Sequence, residues 1–367
     1  MERIKKNFGF GFMRLPTVDG KVELTEAQQM VDAFLEAGFN YFDTAHGYLD
    51  GQSETALKTC LTSRYDREKY VLTNKLSDNF FSKQEDILPL FESQLEACGV
   101  SYFDFYLMHA QDAKNFEKYK ACKAYETVLE LKNQGKIRHM GISFHDKAEV
   151  LDRILTEYPQ IEIVQIQFNY FDYDDPAVES RKCYEICRKH HKPVIVMEPV
   201  KGGSLVQLPP EAQAVFDGLQ GGSNASYAIR FAAGFEGIVM VLSGMGSMEM
   251  LRDNLSYMSD FQPLSQKEME AVEQVCGVLK KQNRIGCTDC KYCMQVCPQN
   301  IQIPGLFACL NAKNIFNSWN SGYYYRLTSA GAKALDCLKC GACEDICPQH
   351  LNIRQLLEDV AEAFEKK

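Results

Sequence analysis

Towards its C-terminus the chain repeats one cysteine pattern, Cys287-x2-Cys290-x2-Cys293-x3-Cys297-Pro298 and Cys337-x2-Cys340-x2-Cys343-x3-Cys347-Pro348. Two-residue gaps let a tight turn point three thiolates at one cube-shaped inorganic core, while the fourth thiolate, just before proline, comes from elsewhere. This is a spacing of [4Fe–4S] ligation, and in two-cluster proteins the fourth cysteine serves the other cluster. On that rule Cys287, Cys290, Cys293 and Cys347 hold one cluster, and Cys337, Cys340, Cys343 and Cys297 hold the other. A pair of structural zinc sites is the competing reading, because CxxC pairs also suit zinc; zinc sites, however, usually take four ligands from two separated pairs. The other seven cysteines (Cys60, Cys98, Cys122, Cys183, Cys187, Cys276, Cys309) lack such spacing and read as buried structural thiols.

The rest of the chain is ordinary in composition. Of 367 residues, 46% are hydrophobic and 24% charged, enough for one large domain beside a small one. The net charge of −9 argues against nucleic acid as a partner, since phosphate binding needs a basic face. Residues 284–350 hold six Lys/Arg and four Asp/Glu, a balance of +2 that leaves −11 for the remainder. A small basic excess there would offset the negative charge of iron–sulfur thiolate clusters. The opening MERIKKNFGF has no long apolar run after its basic residues, as a secretory signal would, and no stretch approaches the ~18–20 apolar residues of a membrane helix. The expectation is a cytoplasmic protein without a membrane partner, whose cysteines are metal ligands or free thiols rather than disulfides.

Before residue 282, short apolar runs alternate with longer amphipathic stretches. Strands are expected at about 7–13, 40–43, 70–75, 103–107, 137–142, 162–167, 193–197 and 237–242. Helical patterns lie between them: Thr25–Ala37 with Thr25 as its cap, Gln84–Cys98, Lys118–Asn133, Asp146–Tyr158, Pro176–His191 and Ser223–Ala233. Regular βα alternation implies a parallel sheet covered by helices, and eight such units predict an α/β fold of the (β/α)8 TIM barrel type, with an open doubly wound sheet as the alternative. The domains are therefore read as 1–281, the barrel, and 282–367, the cluster domain with a closing helix over Asn352–Lys367. The aromatic stretch between the two motifs (Phe307, Phe316, Trp319, Tyr323, Tyr324, Tyr325) either docks this domain onto the barrel or forms a satellite core.

Barrel chemistry sits at the C-terminal ends of strands. There the second strand ends in Asp43-Thr44-Ala45-His46-Gly47-Tyr48, the third in Asn74-Lys75 and the fourth in Met108-His109. A lysine ending an apolar strand is costly unless paired, and Asp43 is its natural partner.

These residues resemble a known family. The motif DTAHGY, the lysine of VLTNKL and the histidine of YLMHA are similar to the Asp–Tyr–Lys–His tetrad of the aldo/keto reductase superfamily, and the tail resembles two-cluster ferredoxins, as in that superfamily's iron–sulfur branch of anaerobic bacteria. The resemblance implies catalytic roles for Tyr48, Lys75, Asp43 and His109. Tyr48 would give a proton to a carbonyl oxygen as hydride reaches carbon, Lys75 would lower the Tyr48 pKa, Asp43 would hold Lys75, and His109 would orient the carbonyl. It also implies cofactor contacts at Ser143, Gln165, Met197, Gly244 and Asn254. Several depart from the family pattern. Phe144 follows Ser143 where asparagine is usual, Met197 replaces an aromatic that stacks on nicotinamide, and only Arg252 stands near the expected basic pair for a 2′-phosphate. Lys201-Gly202-Gly203-Ser204 could cradle a phosphate through backbone N–H groups or be a plain turn.

Nicotinamide moves two electrons and a [4Fe–4S] cluster one, so a flavin, which can do both, enters as an alternative to NAD(P)H. The function expected is an oxidoreductase interconverting a small-molecule carbonyl and alcohol, coupled to two [4Fe–4S] clusters and served by a ferredoxin or flavodoxin. The alternatives are an electron-transfer protein with a flavin in the barrel, and a conventional NAD(P)H reductase with structural clusters.

Overall fold

The computed structural model describes residues 2–219, 221–281, 285–287, 290–316 and 320–366. The expected domain boundary at 281/282 and Trp319 of the aromatic stretch touch or lie outside the described residues.

All eight expected strands form. β1 (Phe8–Gly11) is followed by a small antiparallel hairpin, β2 (Thr17–Val18) and β3 (Lys21–Val22). Then come β4 (Tyr41–Asp43), β5 (Val71–Leu76), β6 (Phe103–Gln111), β7 (Ile137–Phe144), β8 (Ile163–Gln167), β9 (Val194–Met197) and β10 (Ile238–Ser243). The barrel closes in the order β1-β10-β9-β8-β7-β6-β5-β4, every pairing parallel, so the open-sheet alternative is excluded.

The two-residue strand period sorts the apolar residues into two cores. Tyr41, Val71, Phe105, Leu107, Ile163, Ile195, Met240 and Leu242 fill the barrel interior. Their neighbours Phe42, Leu72, Tyr106, Val164, Val196 and Val241 point outward and bury against the helices. Carried up each strand, the same parity aims Asp43, Lys75, His109, Gln165, Gln167 and Met197 into the barrel mouth. The interior is tight: a Cβ at Gly141 would come within 2.6 Å of Ile163 and Leu107. At the opposite end Asp104 accepts from Arg3 and Arg67, each at 2.6 Å, and from the Leu72 N–H at 2.9 Å, tying β6 to β5 below the core.

Several helix ends differ from expectation. The first long helix is Leu24–Glu36, and Glu23, not Thr25, caps it by accepting from the Glu26 N–H. The stretch Lys118–Asn133 is two helices, Ala113–Ala121 and Ala124–Asn133, separated at Lys123, whose φ is +50°. The helix expected from Pro176 begins at Ser180.

The C-terminal domain packs helices Ile303–Phe316, Ser321–Thr328 and Ile353–Phe364 around Leu306, Phe307, Tyr324, Tyr325, Ile353, Leu357 and Val360. Ile353, Leu357 and Val360 are almost wholly buried, and each contributes about 1.5–3 kcal/mol. Barrel residues Ala177 and Val178 join this core. The aromatic stretch does both things considered for it. Phe307, Tyr324 and Tyr325 build the satellite core, while Phe316 meets Phe171 edge-on at 4.6 Å and Tyr323 meets His145 at 5.3 Å. Among the described residues no helix is long and apolar enough to cross a membrane.

Candidate active site and cluster cavities

The barrel mouth holds a buried ion pair beneath two half-buried rings. Lys75 Nζ donates to Asp43 Oδ1 at 2.5 Å and to the Thr44 carbonyl at 2.8 Å. The same ammonium lies 4.8 Å from the centroid of the Tyr48 ring, and that ring stands edge-on to His109 at 5.9 Å. Asp43, Lys75, Tyr48 and His109 are thus brought together.

Burial pulls the Lys75 ammonium down, but the Asp43 carboxylate and the Tyr48 hydroxyl hold its pKa above the usual value, so it is charged. Burial pushes the Tyr48 hydroxyl up, and Lys75 pulls it back only in part. The expected net lowering is therefore corrected. Asp43 compensates the Lys75 charge, and burial prevails. Tyr48 is a protonated donor at neutral pH whose anion Lys75 would stabilise once formed. Burial, Lys75 and His145 hold His109 well below the usual imidazole range, so it is neutral, with Nδ1 2.6 Å from Ser77 Oγ.

A second polar layer, which sequence reasoning missed, backs this group. Glu54 accepts from Asn74 Nδ2 at 2.7 Å and from Gln94 Nε2 at 3.2 Å, and pairs with His46 Nδ1 at 2.8 Å. Gln94 also donates to the Lys75 carbonyl at 3.0 Å. The network ties the loop carrying Tyr48 to the end of β5. Its only sequence signal was a glutamate at the start of a helix.

The expected cofactor contacts fare unevenly. Gln165 fits a nicotinamide carboxamide: its side-chain carbonyl oxygen is buried without a partner. Ser143 Oγ accepts from the Ala110 N–H at 2.8 Å, fixing a left-handed residue after His109. Asn254 donates to Ser243 Oγ at 3.0 Å and accepts from the Tyr257 hydroxyl, so both ends of its amide are engaged. Met197 is partly exposed at the end of β9. Gly244 is exposed beside Arg14, whose side chain a Cβ would meet at 3.1 Å. Arg14, on the turn Phe12–Arg14 after β1, is a cation at the mouth that sequence reasoning passed over.

The phosphate-cradle reading of residues 201–204 is overturned. The N–H groups of Lys201, Gly203 and Ser204 donate to the carbonyls of Glu198, Val200 and Lys201. Lys201 Nζ is buried and donates to Asp172 Oδ1 at 2.6 Å. The turn points inward because its lysine has an acidic partner in the protein.

In the C-terminal domain two separate cavities carry the motif cysteines. Cys287, Cys290, Cys293 and Cys347 line one, and Cys297, Cys337, Cys340 and Cys343 line the other. The first set also adjoins the barrel, since Cys287 shares a groove with Phe171 and Asp174–Pro176. Among the described residues no three His, Cys, Asp or Glu side chains converge as the ligands of a single ion do. Thiolates arranged around a cavity suit a cube of iron and sulfide better than one zinc ion, whose bonds of about 2.3 Å draw four sulfurs together. Of the seven remaining cysteines, six are buried and Cys276 is partly so, its thiol 3.2 Å from the Tyr170 carbonyl.

Residues 7–276 match the aldo/keto reductase family and residues 286–351 match the 4Fe-4S dicluster domain, so the chain belongs to the aldo/keto reductase family and carries a dicluster domain at its C-terminal end. It is 23% identical over 300 residues to the uncharacterized oxidoreductase YqkF of Bacillus subtilis, covering 72% of this chain and 90% of that one. It is 28% identical over 258 residues to an aldo-keto reductase of Mycolicibacterium vanbaalenii, covering 69% and 85%. An aldo-keto reductase from Klebsiella pneumoniae, solved with NADPH, superposes with a TM-score of 0.61 at 18% identity, over 74% of this chain and 95% of that one. The protein is an oxidoreductase of this family with the closed barrel that the family implies.

Proposed function

We propose that the barrel interconverts a small carbonyl compound and its alcohol with a nicotinamide cofactor, and that the two cysteine sets each hold a [4Fe–4S] cluster coupled to that chemistry. The observation that carries the reading is the charged, buried Lys75–Asp43 pair directly beneath a protonated, half-buried Tyr48. Bound NAD(P)H would supply hydride. Tyr48 donates its phenolic proton to the carbonyl oxygen, and in the reverse direction takes it back. Lys75 stabilises the tyrosinate more than the phenol, which lowers the barrier rather than merely tightening binding. Neutral His109 donates one hydrogen bond to the same oxygen while Ser77 fixes its ring. Asp43 keeps Lys75 charged and in place.

Nicotinamide is preferred to flavin here because Gln165 offers an unpartnered carbonyl oxygen to a carboxamide and because a solved neighbour binds NADPH. The clusters would supply one-electron transfer, and the lining of the two cavities supports the crossed assignment, Cys347 with the first motif and Cys297 with the second. Their redox role, a ferredoxin or flavodoxin as carrier, and an anaerobic cytoplasm as setting belong to this proposal.

The test is anaerobic purification, with assay of iron, sulfide and released cofactor, then turnover of the protein and of Tyr48→Phe. Eight irons per chain, NAD(P)H-dependent carbonyl reduction, and a loss of at least a hundredfold in Tyr48→Phe with the clusters retained are expected. A stoichiometric flavin would overturn the nicotinamide assignment. Zinc without iron would overturn the clusters, and full activity of Tyr48→Phe the acid.

A further inference from the structure

The cluster domain roofs part of the barrel mouth. Asn320 Nδ2 donates to Glu198 Oε2 at 2.6 Å, just beyond the end of β9. Tyr323, in the first turn of the helix Ser321–Thr328, sets its ring against His145, just beyond β7, with centroids 5.3 Å apart. The start of that helix therefore runs from β9 to β7, across the C-terminal end of β8. This is the face on which Tyr48 and His109 stand, and His145 acts electrostatically on His109.

Two hydroxyls on this roof are buried without a hydrogen-bond partner, Ser321 Oγ and the Tyr323 hydroxyl. On β8, which they cross, the side-chain carbonyl oxygen of Gln167 is buried and unpartnered as well, next to that of Gln165, which the nicotinamide carboxamide would take. Ser321 is itself 3% exposed. Buried polar atoms are nearly always satisfied in a folded protein, so a group of orphans at a barrel mouth marks a place where a ligand brings the missing partners. Donors on the roof and an acceptor on the floor are what a hydroxyl, which both gives and accepts, can bridge. The charge around Tyr323 narrows the class: Asp112, Asp146 and Asp78 act on its hydroxyl electrostatically, with Arg326 the opposing cation. A carboxylate or phosphate at this position would be repelled.

We propose that Tyr323 and Ser321 contact the substrate, so that the cluster domain forms one wall of the substrate pocket and selects neutral, hydroxylated carbonyl compounds. The inference rests on the carbonyl chemistry proposed above and adds its substrate class. It also gives the two-domain arrangement a purpose besides electron transfer, since the pocket is complete only when the domains are joined.

The test uses the anaerobic holoenzyme with NADPH and three probes: glyceraldehyde, propanal, which has the same carbon chain without hydroxyls, and glyoxylate, a carboxylate. The wild type is expected to favour glyceraldehyde in kcat/KM. In Tyr323→Phe the glyceraldehyde-to-propanal ratio of kcat/KM should fall about five- to tenfold, the effect of one lost hydrogen bond. A merely structural residue would lower both substrates together and leave the ratio where it was. Iron content checks the fold, and Ser321→Ala carries the same readout where Tyr323→Phe loses iron. An unaltered ratio in both variants, or a wild-type preference for propanal or glyoxylate, overturns the proposal while carbonyl chemistry stands. Turnover of none of the three by the wild type overturns the carbonyl chemistry itself, and this inference with it.

Discussion

Lys75 Nζ sits 2.5 Å from Asp43 Oδ1 with both side chains almost wholly withdrawn from water, and the second carboxylate oxygen of Asp43 has no other partner. Removing either residue leaves the other as an uncompensated buried charge, which typically costs about 3–5 kcal/mol. Lys75→Met is therefore expected to destabilise the barrel by that amount. Lys75→Met combined with Asp43→Leu should recover most of it, because no charge is then buried. Denaturant titration of anaerobically prepared protein reads both. A double variant no more stable than the single would show that the pair is not energetically coupled.

The crossed cysteine assignment makes a prediction that an uncrossed one does not. Cys290 and Cys347 line one cavity, and Cys297 lines the other. Cys290→Ala combined with Cys347→Ala should therefore damage a single cluster and leave about four irons with one unperturbed electron paramagnetic resonance signal after reduction. Cys290→Ala combined with Cys297→Ala should damage both. The opposite pattern would mean that each motif supplies all four ligands of its own cluster.

Both cores and both cavities were legible in the sequence because each rests on a short-range rule. Alternating apolar residues located the strands, and the Asp43–Lys75 pairing followed from the cost of a lysine at the end of an apolar strand. Cysteine spacing marked out the two sets whose members now line separate cavities. What escaped depends on contacts between distant segments. Lys201 beside two glycines resembled a phosphate cradle until Asp172 was seen to hold its ammonium. The hydrogen bonds of Ser143 and Asn254 to Ala110, Ser243 and Tyr257 likewise carried no signal in the sequence. The Asn320–Glu198 bond joins residues 122 positions apart, which no periodicity announces. The break at Lys123 was invisible for a different reason: a lysine in the left-handed region carries no compositional signal.

Among the residues proposed to contact the cofactor, Gln165 keeps a side-chain oxygen without a partner. Gln165→Leu keeps its volume and removes the amide, so NADPH binding should weaken by about 1–2 kcal/mol, roughly five- to thirtyfold in Kd. Quenching of protein fluorescence by NADPH measures this without turnover. An unchanged Kd would remove Gln165 from the cofactor site.

Glu198 gives the stability of the fold a pH dependence of defined sign. Burial pushes its carboxyl up to about 7, with Asp172 adding to the effect and Lys201, Arg14 and the Asn320 amide opposing it. A folded-state pKa above the unfolded value of 4.5 means that the folded protein holds the extra proton. The stability linked to that proton is fully present below pH 4.5 and is lost as pH rises through about 7, amounting to about 3 kcal/mol at most. Unfolding of the protein should therefore become easier between pH 6 and 8. Denaturant titration at the two pH values should show the loss of stability. Glu198→Gln, which stays neutral, should abolish the difference. A wild-type protein equally stable at both pH values would place the Glu198 carboxyl outside this window.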